Sequence, residues 1–322
     1  MPQLPTRLVE IVCDESGAEG EHLVGGETTV FSHSSIQLTS DEAARILAEV
    51  RERIGTPITT EYKSSRLMRN REVVTWLLNE DGPIHGVARV YLLDKAYFLL
   101  VLLVDVLMGE STYFTDLPGW PSATALRQAR LLQAEGPRVL GDERWSTFGD
   151  AANRLLRARW RRDTGDPSEP MFTLLEQDRP NGLLGALRGR RERADAYRTW
   201  RDAQGVLATI DPLIPAVART IQQWSDDGAA VAILHDETSA LTPGRTALLR
   251  SQLRLSELRR IDSGTDDRIQ VADFLAGIAR RIAEHALRGV ADPELAELLR
   301  PYVDPGSLWA DEPSWSVLTS AG

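Results

Sequence analysis

Four carboxylates stand where packing alone would not choose them, and together they have the chemistry of a divalent-cation site. Asp14 directly follows the apolar run Leu8-Val-Glu-Ile-Val-Cys13, and Asp236 follows Ala229–Leu234 with only His235 between. Glu61 lies in Thr60-Glu-Tyr-Lys63. Asp273 sits within Ile269–Ala279, where every other position except Gln270 is apolar or small. A helix that is apolar almost all round belongs in a core, and a buried carboxylate without compensation is costly. A bound cation or an arginine partner is the usual compensation. All-oxygen ligands suit Mg2+ or Mn2+, which keep several waters of their own. Two such ions, about 3.5–4 Å apart, activate water and stabilise the leaving oxygen of a phosphodiester. Each acid also has a plainer role open to it. Asp14-Glu-Ser-Gly17 would serve as an Asx turn, His235-Asp236-Glu237 as a cap, and Glu61 with Lys63 as a surface pair of little energetic weight.

The elements that must position these acids follow from periodicity and turn signals. Leu8–Cys13 is expected as a strand ending at the Asp14–Gly17 turn, and Thr28–Ile36 as a second strand. Ser40 caps a helix whose apolar stripe is Ala43, Ala44, Ile46, Leu47, Val50 and Ile54. Pro57–Lys63 is extended, Leu67–Leu78 helical, His85–Leu93 a strand and Ala96–Met108 a buried helix. From Glu110 to Gly205 the pattern turns to arginine-rich helices, broken at Leu117-Pro-Gly119, Gly136-Pro137, Gly165-Asp-Pro167 and Arg179-Pro-Asn-Gly182. Pro212 opens a helix to Trp224. Ala229–Leu234 and Leu258–Ile261 are strands, Ile269–Leu287 is a helix, and the tail holding Trp309 and Trp315 packs back on the body. Mixed strands and helices around one sheet imply an α/β domain. In such sheets the carboxyl ends of strands deliver side chains into a shared crevice.

Composition narrows the function classes. The single cysteine, Cys13, excludes a disulfide framework and a cysteine zinc cluster. The N-terminus has no signal-peptide pattern, and the longest apolar run, Ala96–Val104, is far short of the ~20 residues that span a bilayer. A cytoplasmic protein without a membrane partner is expected. No phosphate-loop motif, no nucleophile-elbow motif and no metal-ligand spacing among the five histidines occurs. Net charge is −10, yet twelve arginines lie between Arg154 and Arg201. Arg157, Arg161, Arg162, Arg190 and Arg191 are the candidates for gripping a nucleic-acid backbone, against the alternative of solvated helix faces paired with nearby acids. Only two of the 37 basic residues are lysines, Lys63 and Lys95. In so arginine-biased a chain, a retained lysine marks a place where a compact ammonium is required.

Asp14-Glu-Ser-Gly17 after a first strand, Glu61-Tyr-Lys63, Leu93-Asp-Lys95 and Ile269-Gln-Val-Ala-Asp273 resemble the bacterial domain-of-unknown-function family 3800. Both lysines fall within these motifs. The resemblance covers roughly residues 8–108 and 205–285. It implies an α/β ribonuclease-H-like mixed sheet flanked by helices, with a large helical insertion, and a metal-dependent nuclease. Carried over position by position, Asp14, Glu61, Asp236 and Asp273 would be the metal-binding acids. Lys63 would orient phosphate or a carboxylate, and Glu15, Ser16, Gln270 and Lys95 would support them from behind. The expected organisation is a core in two parts, 1–109 and 206–290, around an insertion at 110–205, with a tail at 291–322. The expected function is hydrolysis of nucleic acid through a carboxylate-held Mg2+ or Mn2+ site. The alternative is a non-catalytic or regulatory subunit of a bacterial defence or toxin–antitoxin system, with a protein partner or a second copy of itself.

Overall fold

The structure, a computed structural model, describes residues 7–55, 64–109, 121–158, 165–205, 207–225 and 227–319. The expected extended segment Pro57–Lys63 and the break at Leu117–Gly119 lie outside them. The described residues form five strands: β1 (Leu8–Ser16), β2 (Val30–Ile36), β3 (Ala88–Asp94), β4 (Ala230–Asp236) and β5 (Leu255–Ile261). They make one sheet in the order β3-β2-β1-β4-β5. β1 pairs antiparallel with β2 and parallel with β4, and β4 pairs parallel with β5, so the sheet is mixed.

The chain divides into two compact units. The first, residues 1–18, 30–93 and 216–322, holds the sheet. Between β2 and β3 run α1 (Ser40–Ile54), α2 (Ser64–Leu67) and α3 (Arg71–Leu78). The cap of α1 is Thr39, one residue before the expected Ser40. Its hydroxyl accepts from the Glu42 N–H while the Glu42 carboxylate accepts from the Thr39 N–H, a reciprocal capping box. The expected single helix over 67–78 is two, because the Asn70 side chain accepts from the Val73 N–H and starts α3 afresh.

The second unit, residues 19–29 and 94–215, contains α4 (Lys95–Met108), α5 (Ala123–Leu140), α6 (Asp142–Leu156), α7 (Glu169–Asp178), α8 (Gly182–Arg188) and α9 (Arg191–Gln204). Its boundary falls at residue 93 rather than at the expected 109. α4 is buried at nearly every position and packs on α5, α6 and α9; a helix apolar all round needs neighbours all round. Gly136-Pro137 does not break α5. Pro137 lies in its last turn, and a Cβ at Gly136 would stand 2.2 Å from the Trp145 ring, so close packing explains the glycine.

Returning to the first unit, α10 (Leu213–Trp224), which enters it at residue 216, leads into β4. An unexpected helix, α11 (Pro243–Gln252), joins β4 to β5, with the Thr242 hydroxyl capping the Arg245 N–H and proline at its first turn. α12 (Asp267–Leu287) is the spine of the unit, packing on β1, β2 and α1. The chain ends in α13 (Pro293–Leu299) and α14 (Glu312–Leu318). The tail runs back along β3. The Asp304 and Leu308 N–H groups donate to the Val90 and Leu92 carbonyls, covering the outer edge of β3, and Trp309 stacks on Trp315. Among the described residues no helix is long and apolar enough to cross a membrane.

Candidate functional site

β1 supplies the first carboxylate. Its pairing with β2 does not stop at Cys13 but continues through Asp14↔Ser34, Glu15↔His33 and Ser16↔Ser32. Asp14 therefore lies inside the strand, not in a turn after it as expected, because the ladder offered by β2 prevails over the Asx turn. Side chains alternate along a strand. Val12, Asp14 and Ser16 thus share one face with Ser32, Ser34 and Ile36, while Cys13 and Glu15 share the other with His33 and His235. Asp236, last residue of β4, follows Leu234 onto the Asp14 face.

α12 crosses that face. The Ser34 Oγ donates to the Ala272 carbonyl at 2.8 Å and the Ser32 Oγ to the Ala276 carbonyl at 2.6 Å. Two residues along a strand and four along a helix both advance about 6–7 Å. The two bonds therefore hold α12 antiparallel to β2 and set Asp273 beside Asp14. From Ile269 to Ala279 every residue is buried except Asp273, which is half-buried like Asp236 and Glu15. Three aspartates from β1, β4 and α12 thus gather on one face of the sheet, Asp14 buried and the other two partly exposed.

Their electrostatics record the convergence. Burial first, and then repulsion from Glu15, Asp273 and Asp236, pushes the Asp14 carboxyl up to about 9, against one opposing hydrogen bond from the Glu15 N–H at 2.7 Å. Gln270, one helical turn before Asp273, is buried, and its Oε1 has no hydrogen-bond partner among the described residues. Ser16 accepts from the Arg280 Nε at 2.9 Å, and Arg280 also binds Glu284 at 2.7 Å. The donors are the oxygen-only kind that Mg2+ and Mn2+ take, and the raised Asp14 and the orphaned Gln270 oxygen both fit a cation. Among the described residues, however, no group of three or more His, Cys, Asp or Glu side chains is arranged to hold a metal ion. Glu61 and Lys63 lie outside those residues.

The opposite face of β1 holds a feature that sequence reasoning missed. The His33 Nε2 lies 3.2 Å from the His235 Nε2, with the rings stacked at 5.3 Å, and both are wholly buried. The His235 Nδ1 faces the Asp236 carbonyl at 3.0 Å, and the His33 Nδ1 faces the Thr220 hydroxyl at 3.0 Å. Burial pushes His235 down to about 4, and burial together with His235 depresses His33, so both rings are neutral. A carbonyl only accepts, so the His235 Nδ1 carries hydrogen and its Nε2 accepts from the His33 Nε2–H. The His33 Nδ1 then accepts from Thr220. This one-way chain ends on the Asp236 backbone, and Glu15 stands 3.6 Å from the His235 Nε2. The signal was present in Phe31-Ser-His-Ser-Ser35, a β run that is polar on both faces yet fully buried. His33→Ala should cost at least about 2 kcal/mol, since it leaves a buried acceptor unpaired and opens a cavity; a chemical melt of the variant measures it.

The remaining candidates fall in the second unit. Lys95 is buried and binds the Glu19 carboxylate at 2.9 Å and the Thr28 hydroxyl at 2.7 Å. Arg191 is held by Glu169 at 2.7 Å and lies over the Phe172 ring. Arg157 meets His22 at 3.2 Å, and its carbonyl accepts from the buried Arg198. Arg201 is buried against Glu21 at 2.5 Å. Arg179, Arg188 and Arg190 are exposed, and Arg161 and Arg162 lie outside the described residues. Much of the arginine-rich segment is thus engaged in internal contacts.

Fold and site define a mixed α/β protein with an acidic cluster on the helix-covered face of its sheet. Compared with protein-family models, curated proteins and solved structures, the chain matches none.

Proposed function

We propose that the protein is a Mg2+- or Mn2+-dependent phosphodiesterase acting on nucleic acid, built on a ribonuclease-H-like core related to family 3800. The observation that carries this reading is that β1, β4 and α12 bring Asp14, Asp236 and Asp273 onto one face of the sheet, where burial first and then these neighbours with Glu15 raise the Asp14 carboxyl. Like charges are gathered only where something offsets them, and strongly perturbed groups cluster at functional sites. The central position of β1, the parallel β4 beside it and the helix laid across both support the ribonuclease-H-like core; the family resemblance rests on the motif residues.

Asp14, Asp236 and Asp273, with Glu61, would hold the ions. When bound, these would supply Lewis acidity that lowers the pKa of water and offsets charge on the leaving oxygen. To hold them Asp14 would have to be ionised, Gln270, whose Oε1 has no partner among the described residues, would support the acids, and Lys63 would orient the scissile phosphate. Exposed Arg190 would contact the backbone, and Arg161 and Arg162, outside the described residues, are candidates for the same role; Arg191 and Arg157 already have partners in Glu169 and His22. The absence of a ready three-ligand arrangement among the described residues favours the second reading, a non-catalytic module within a bacterial defence or toxin–antitoxin assembly.

Cleavage of labelled single- and double-stranded RNA and DNA with Mg2+ or Mn2+ separates the two. Cutting is expected for the wild type and is expected to fall at least about 100-fold in Asp14→Asn and in Asp273→Asn, each removing a ligand. No cutting of any substrate, combined with no metal-induced rise in melting temperature, would sink the nuclease reading in favour of the module.

A further inference from the structure

The two edges of the sheet are treated differently. The β3 edge is covered by the returning tail, whereas among the described residues no strand pairs with β5 on its outer side. β5 is seven residues long, Leu255-Ser-Glu-Leu-Arg-Arg-Ile261, and Ser256, Glu257, Arg259 and Arg260 are exposed. Glu257 and Arg259 are each about half exposed, at 54% and 53% of the side chain. An open edge is a template for another strand, and proteins manage it by blunting or by using it.

The sequence of β5 is self-complementary in one register. An antiparallel pair formed by a strand and its two-fold copy places a residue opposite itself at the axis. With Leu258 at the axis, the overlap is centred within the regular part of the strand, Glu257–Ile261, and is interrupted at Ser256, the extra residue left by the register shift between Val231 and Ala232. Glu257 then faces Arg259 of the second copy, and Arg259 faces its Glu257. The regular ladder stops at Ser256, an extra residue in β5, so Leu255 stays on the opposite face with Val231 and does not face Ile261. Moving the axis to Glu257, Arg259 or Arg260 opposes that charge to its own copy. Moving it to Ser256 leaves Glu257 facing a leucine and loses both ion pairs. We propose that β5 is the interface of a two-fold homodimer, in which the edges pair antiparallel about Leu258 and the two sheets join into one continuous sheet. Opposite charges directly across a strand pair stabilise, and like charges destabilise by a similar amount. The register is therefore chosen by charge. Both copies present the α12 face, and hence the acidic cluster, on the same side of the joined sheet.

The test is the mass in solution of wild type, Glu257→Arg, Arg259→Glu and an equimolar mixture of the two variants, by light scattering over a range of concentrations. The wild type is expected to weigh as two chains. Each variant, which places like charges in both cross-strand pairs, should dissociate at least about tenfold more readily. The mixture should recover the dimer. There the arginine introduced in one chain meets the glutamate introduced in the other, and the untouched Arg259 of the first meets the untouched Glu257 of the second. That recovery also shows that both variants are folded. A wild type that remains a monomer at a concentration of about 100 μM, equivalent to binding weaker than about −5.5 kcal/mol, would overturn the proposal. Variants that dimerise as tightly as the wild type would overturn it too, and leave the charges as guards of a solitary edge.

Discussion

Asp14→Asn is expected to melt higher than the wild type at alkaline pH when divalent metal is absent, while losing catalysis. The Asp14 carboxyl titrates at about 4 in an unfolded chain and at about 9 in the folded one. Between those values the native state holds a proton that the unfolded state has released. Stability from this group is therefore complete below about pH 4 and declines steadily as pH rises toward 9. Asparagine keeps the shape and removes the titration. At about pH 8 the variant should gain roughly 2–3 kcal/mol, after allowing for the hydrogen bonds its amide must find. That is a rise of about 5 °C in melting temperature, shrinking markedly by about pH 5. Mn2+ or Mg2+ should raise the wild-type melting temperature and leave the variant nearly unmoved. Melting curves at about pH 5 and about pH 8, with and without Mn2+, check all of this at once. Equal melting temperatures for the two proteins under alkaline, metal-free conditions would mean that neither burial nor the neighbouring carboxylates raise Asp14 in the folded state.

Lys95→Met should produce the second large effect, and on stability. Lys95 is wholly buried, and its ammonium meets Glu19 and Thr28. Although burial pushes the Glu19 carboxyl up, the hydrogen bond and charge of Lys95 bring it below its ordinary value. Removing one partner of such a pair strands the other, at about 3 kcal/mol. Lys95→Arg should also destabilise, because a longer planar fork does not fit where a compact ammonium sits. Denaturant melts of both variants, with activity expressed per folded molecule, distinguish a structural staple from a helper of the acidic site. A loss of activity at unchanged stability would return Lys95 to the site.

Much of the architecture was legible in the chain because periodicity reports burial locally. The apolar runs of β1 and β4, the stripe of α1 and the all-round apolar surface of α12 each announce what an element must hide. α11 was not legible, because its signals, a threonine cap and a following proline, are the same as those of a loop. The end of β1 eludes sequence reading for a related reason. Asp14-Glu-Ser-Gly17 has turn chemistry, and only the ladder offered by β2 makes it a strand. The boundary of the second unit is equally hidden, because an apolar helix such as α4 states that it is buried, not among which helices.

By itself, the sequence determined that acids at positions 14, 236 and 273 are out of place for packing, and that two lysines are retained among arginines. Those are properties of residue type in local context. Only the tertiary structure decided what they stand beside. Alternation in β1 puts Asp14 on the α12 face and Glu15 with the two histidines on the other, and the Ser32 and Ser34 bonds set the level of Asp273. The same structure gives Lys95 to Glu19 and much of the arginine-rich segment to internal partners. Partners far apart in sequence leave no periodic trace, since the contact that selects them forms only when the sheet and its helices have packed.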